Sequence, residues 1–115
     1  MAGRKAKVDP LVLITGDDFR WSYEWRESPE AEPSAWPAGY ELYYEFKNGA
    51  GGSWTGGTKW HFIIAGSVAS IRVESEVANG ILPRTAYRLV LKDTNPTPTI
   101  ESVLVIGNVE RQEPK

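Results

Sequence analysis

Alternation with a period of two residues, sustained over aromatic side chains, constrains this chain more than any other feature. Across residues 19–26, Phe19, Trp21, Tyr23 and Trp25 fall on one side and Arg20, Ser22, Glu24 and Arg26 on the other. The pattern returns over residues 40–47, where Tyr40, Leu42, Tyr44 and Phe46 are set against Glu41, Tyr43, Glu45 and Lys47. Strand side chains point alternately to opposite faces, so each stretch predicts a β-strand with one dry and one wet face. A helix does not fit this period, because its apolar positions recur every three or four residues.

Shorter segments complete the series. Leu11-Val12-Leu13-Ile14 is an apolar strand opened by Pro10, whose missing N–H costs little there, and it ends at a Thr15-Gly16-Asp17-Asp18 corner. Residues 58–64 put Trp60, Phe62 and Ile64 on one face, and residues 68–74 do the same with Ala69, Ile71 and Val73. Residues 85–92 and 99–106 are two further strands, joined through Pro96 and Pro98. Residues 74–82 predict a helical turn stopped by Asn79-Gly80. Residues 27–37 hold Pro29, Pro33 and Pro37, and residues 48–57 hold five of the eleven glycines around Trp54. Both predict loops, the second of them mobile and closing a hairpin. The fold class expected is all-β: an antiparallel β-sandwich of about seven strands with at most one short helical turn. The expected organisation is a flexible basic arm over residues 1–9, a sandwich domain over 10–107 and a polar C-terminal tail over 108–115.

With 115 residues the chain has the length of one domain, and without cysteine it forms no disulfide or thiolate metal site. Thirteen basic and fifteen acidic residues leave a formal charge of −2, not the basic field of a nucleic-acid binder. The apolar runs at 11–14 and 62–65 fall far short of the ~20 residues of a spanning helix. Arg4, Lys5 and Lys7 make the N-terminus basic, but Asp9 and Pro10 follow where a secretory signal needs an apolar stretch. Neither nucleic acid nor a membrane is therefore an expected partner.

Catalysis needs convergent groups, and the sequence supplies few. His61 lies between Trp60 and Phe62, on the wet side of its strand, and no Gly-x-Ser-x-Gly elbow accompanies it. Asp17-Asp18 offers two oxygens where a calcium site needs six or more, so turn aspartates bonded to nearby backbone are the simpler reading. Glu41 and Glu45 flank Tyr43 on one strand face, which suits charges in solvent better than the acid pair of a glycosidase. The glycine-rich loop leads through Thr58-Lys59-Trp60 into a strand, where a phosphate cradle needs a helix. No catalytic residue, metal ligand or cofactor is expected, and the chain is not expected to be an enzyme.

Trp36 and Trp54 stand apart because both lie in loops. An aromatic ring on a loop stacks on a sugar or anchors a protein contact; folded back, it forms a lid over the end of a sandwich. The sequence predicts that at least one of the two indoles is exposed. With Tyr43 they are candidate contacts for a protein partner or a glycan, and Arg4, Lys5 and Lys7 add a basic arm to that set.

A family resemblance rests on the order of several short motifs. The apolar strand ends in Ile14-Thr15-Gly16-Asp17-Asp18-Phe19 and is followed by the aromatic strand, a proline-rich loop, Gly39-Tyr40-Glu41-Leu42 and Trp60-His61-Phe62. Gly66-Ser67-Val68-Ala69-Ser70-Ile71, Arg84-Thr85-Ala86-Tyr87-Arg88-Leu89-Val90 and Val105-Ile106-Gly107-Asn108-Val109 come next. From about Val8 to Arg111 the chain resembles the LtfC-like domain, the small β-sandwich tail proteins of bacteriophages infecting actinobacteria. In layout it is also similar to the N-terminal domain of phage baseplate upper proteins. The resemblance implies a virion component, a minor tail or baseplate protein assembled in the host cytoplasm, with no catalytic residues to carry over. The implied partners are other phage tail or baseplate proteins in a symmetric assembly, with host cell-wall glycan as the alternative.

Overall fold

The computed structural model describes residues 5–48 and 53–113. Among these residues nine strands and one short helix follow each other: β1 (Lys7–Val8), β2 (Leu11–Ile14), β3 (Phe19–Glu24), β4 (Tyr40–Phe46), β5 (Lys59–His61), β6 (Ile63–Ala65), β7 (Val68–Val73), α1 (Ser75–Ala78), β8 (Ala86–Asp93) and β9 (Ile100–Gln112). They form two facing sheets. The larger runs β1-β9-β8-β4-β5, with β2 also on β9, and the smaller runs β3-β7-β6. This is the expected all-β sandwich with a single helical turn.

Aromatic rings seal the two layers. Phe19 meets Tyr44 and Trp60 at centroid separations of 5.9 and 5.8 Å, and Tyr23 meets Phe62 at 5.6 Å, so β3 lies over β4 and β5. Leu42, Tyr44 and Phe46 of β4 are buried, as their alternation requires. Each such side chain contributes roughly 1.5–3 kcal/mol on burial, which makes this ring cluster the main source of cohesion between the sheets.

Three departures from the sequence reading have clear causes. The strand expected over residues 58–64 is two strands in different sheets. Phe62 donates its N–H to the Leu42 carbonyl at 2.9 Å and buries its ring, while Ile63 emerges 73% exposed on the other layer. Secondly, β1 and β2 run parallel to β9, in one continuous register from Lys7 opposite Val105 to Ile14 opposite Gln112. Lys7 and Val8, assigned to the arm, are therefore strand. Thirdly, β9 extends to Gln112, past the boundary expected at residue 107. Polar side chains do not fray this end, because β2 supplies a backbone ladder and Val109 is fully buried. The Arg111 guanidinium also donates to the carbonyls of Ala78 (2.7 Å) and Ile81 (2.5 Å), tying the strand end to α1.

Candidate functional site

Chemistry-bearing residues gather in three places. On the outer face of the larger sheet, β4 places Glu45 directly between Lys59 of β5 and Arg88 of β8. The Arg88 guanidinium donates to Glu45 Oε1 from Nε at 2.6 Å and from Nη2 at 2.5 Å, and Lys59 Nζ lies 3.8 Å from Oε2. Over this ion pair Trp54 folds down, its ring 4.2 Å from the guanidinium carbon and 5.3 Å from Lys47 Nζ. Lys59 also covers Tyr43, whose other neighbour is His61 at 5.1 Å.

The wet face expected for β4 is thus largely dry. Tyr43 is 4% and Glu45 6% exposed, a correction to both assignments. Long cations from the neighbouring strands and the descending Trp54 cover them, which alternation along one strand cannot report. Burial, followed by the nearby carboxylates Glu101 and Glu45, raises the Tyr43 phenol above its ordinary value. Tyr43 is therefore no free stacking platform. His61 lies on the solvent side, as alternation predicts.

At one end of the sandwich Trp36 packs on Trp25 at 5.2 Å and donates its indole N–H to the Ser67 carbonyl at 3.0 Å. Neither Trp36 nor Trp54 belongs to the exposed residues; both are half-buried, against the expectation that one would be free. Each finds a neighbour at hand, Trp25 for one and Arg88 for the other. Of the basic arm, Lys5 and Lys7 are exposed, with Lys7 Nζ 3.9 Å from Asp9, while Arg4 lies outside the described residues. Residues 49–52 of the glycine-rich loop also lie outside them.

At the Asp17-Asp18 corner, Asp18 is structural. Asp18 Oδ1 accepts from the Ser75 N–H at the start of α1 (2.9 Å), and its Oδ2 accepts from Arg72 (3.1 Å). The Ser75 bond and then Arg72 hold its carboxyl below the usual value. Among the described residues no group of three or more His, Cys, Asp or Glu is placed to hold a metal ion.

The third place was not singled out from the sequence. Because β3 lies over β4 and β5 and ends its sheet, the inner face of β8 and β9 is left partly uncovered alongside it. A cleft follows this flank in two continuous parts that share Tyr23 and Val105. One, of about 310 Å³, lies between β3 and β2 over Tyr44, Tyr87 and Val105. The other, of about 480 Å³, lies over Leu89, Leu91 and Leu104, beneath Trp25 and Trp36. Trp21, expected to be sealed in the core, stands 56% exposed on the cleft wall, because no layer closes over the free edge of β3. Burial raises the Tyr44 phenol strongly and the Tyr87 phenol to about 12. The cleft floor is therefore apolar with neutral hydroxyls, beneath walls that carry Asp9, Asp17, Asp18 and Arg20.

Two facing sheets, one five strands across and the other three, define a β-sandwich. The chain belongs to the LtfC-like β-sandwich domain family, whose model matches residues 5–112. It is also similar to Minor tail protein Gp6 of Mycobacterium phage D29, with 38% identity over 47 residues. That match takes in 41% of this chain and 14% of the phage protein's length.

Proposed function

We propose that this protein is a non-enzymatic structural component of a bacteriophage tail or baseplate, an adaptor or decoration module working through protein–protein contacts. Family membership and the likeness to a protein named as a minor tail protein support the setting. The observation that carries the mechanism is the open flank beside β3: an unpaired sheet edge above apolar side chains. Unpaired edges recruit strands from other chains. The exposed Lys5 and Lys7 and the half-buried Trp36 and Trp54 are further contact candidates. Tail assemblies are symmetric, so one such surface is used repeatedly around the axis.

The test is mass spectrometry of phage particles purified through a density gradient. The protein is expected in the particles at a fixed ratio to the other tail subunits. Its absence from intact particles would overturn the proposal.

A further inference from the structure

We infer that the cleft beside β3 is the docking site for a single extended segment of another tail protein, which adds a strand to the smaller sheet and lays alternate apolar side chains on β8 and β9. The inference deepens the contact-making role proposed above and rests on it.

Backbone direction comes first. Trp25 donates its N–H to the Ser67 carbonyl, in register with the β3–β7 ladder. Counting back in twos, Tyr23, Trp21 and Phe19 also turn their peptide groups toward β7. Arg20, Ser22 and Glu24 therefore turn their N–H and C=O groups outward, over the cleft. Unmet peptide groups beside an apolar floor are satisfied by a strand, because its backbone bonds sideways while every second side chain points down.

The surroundings then select the occupant. β2 stands across the cleft from β3, and β9 continues below it. A folded sandwich presenting its own edge, including a second copy of this chain, would drive its second layer into the space held by β9 and β2. A lone extended segment does not. At about 3.3 Å per residue, the six residues of β3 offer a track of about 20 Å, the length of an ordinary strand. Charge adds a preference. Asp18, Glu24 and Asp9 on the cleft walls are paired with Arg72, Arg26 and Lys7, leaving two carboxylates, Asp17 at one end and Glu27 at the other, against one cation, Arg20, without an ion-pair partner among the described residues. The segment that fits alternates apolar with polar residues and carries lysine or arginine.

The experiment uses the full-length, isotope-labelled protein and an acetylated peptide alternating lysine and valine. Saturable binding is expected, with hydrogen exchange slowed at the amides of Arg20, Ser22 and Glu24 and the Trp21 emission shifted to the blue. Ser22→Pro removes one outward N–H while sparing the β7 ladder and is expected to weaken binding about tenfold or more. Ser22→Ala is expected to bind within about twofold of wild type. Should the proline variant fail to fold, Trp21→Ala, at an exposed site, is expected to weaken binding severalfold.

Absence of protection on β3, or protection on β6 instead, overturns the docking site. Equal binding of a glutamate–valine peptide overturns the cationic occupant. Protection that appears without peptide, rising with protein concentration alongside dimers in sedimentation, assigns the cleft to a second copy and overturns the proposal as stated. Failure here with the protein present in purified particles leaves the tail assignment standing and removes only the docking site.

Discussion

Arg88→Ala tests how the outer face of the larger sheet is held. Glu45 is 6% exposed and takes two short hydrogen bonds from Arg88, with Lys59 Nζ remaining at 3.8 Å. Removing one partner of a buried pair costs about 3–5 kcal/mol. Arg88 itself is partly exposed, and Lys59 retains part of the compensation, so the lower end of that range applies. Loss of the stacking surface under Trp54 adds about 0.5–1 kcal/mol. The expected destabilisation is about 3.5–4 kcal/mol, or roughly 12–18 °C in Tm for a domain of this size. Urea titration followed by tryptophan fluorescence measures it, and the folded baseline should shift to the red as Trp54 loses its platform. Glu45→Leu combined with Arg88→Met is expected to lie within about 1 kcal/mol of wild type, because removing both charges leaves none stranded. A loss below about 1 kcal/mol for Arg88→Ala, or a double variant as unstable as the two single changes added together, would show that the pair does not hold this face.

Other expectations follow from the same contacts. The Tyr87 hydroxyl donates to the Asp9 carbonyl at 2.5 Å, and its folded pKa of about 12 lies above the ordinary value of 10.0. Its contribution is fully present below pH 10 and is lost as pH rises through about 12, so the stability of wild type should fall across that window in alkaline urea melts. Tyr87→Phe should cost about 1 kcal/mol in urea melts near neutral pH. Gly107→Ala should destabilise by about 2 kcal/mol or more in the same assay, because a Cβ there overlaps the Asp9 carbonyl, rigid backbone of the neighbouring edge. Arg111→Ala removes two charge-assisted bonds to carbonyls at the end of α1 and just beyond it and should cost about 1.5–3 kcal/mol, with faster hydrogen exchange at residues 109–112. The Asp18 carboxyl, held low by Ser75 and Arg72, contributes stability above its ordinary value of 3.8 that is lost as pH falls through its lower folded value. The acid midpoint should therefore move up in Asp18→Asn.

The strands of the core were legible because alternation is a property of one segment. Leu42, Tyr44 and Phe46 could be placed inward without knowing any partner, and so could Ala69, Ile71 and Val73. What escaped the sequence depends on neighbours. Tyr43 and Glu45 are buried by side chains from β5, β8 and the Trp54 turn, separated from them along the chain. Trp21 follows the same alternation as Phe19 and Tyr23, yet it is exposed because β3 ends its sheet, which only topology decides. The polar end of β9 gave no strand signal of its own, since its order comes from β2 and from Arg111. The cleft was invisible for the same reason: it is a gap between strands rather than a motif within one.

A reconstruction of the intact tail by electron cryo-microscopy reaches the core of this account most directly. Density for the sandwich should recur around the tail axis, with an extended segment of a different subunit running beside Phe19–Glu24 over Leu104 and Val105. A tail lacking this domain, or one in which every copy leaves that flank open to solvent, would contradict it.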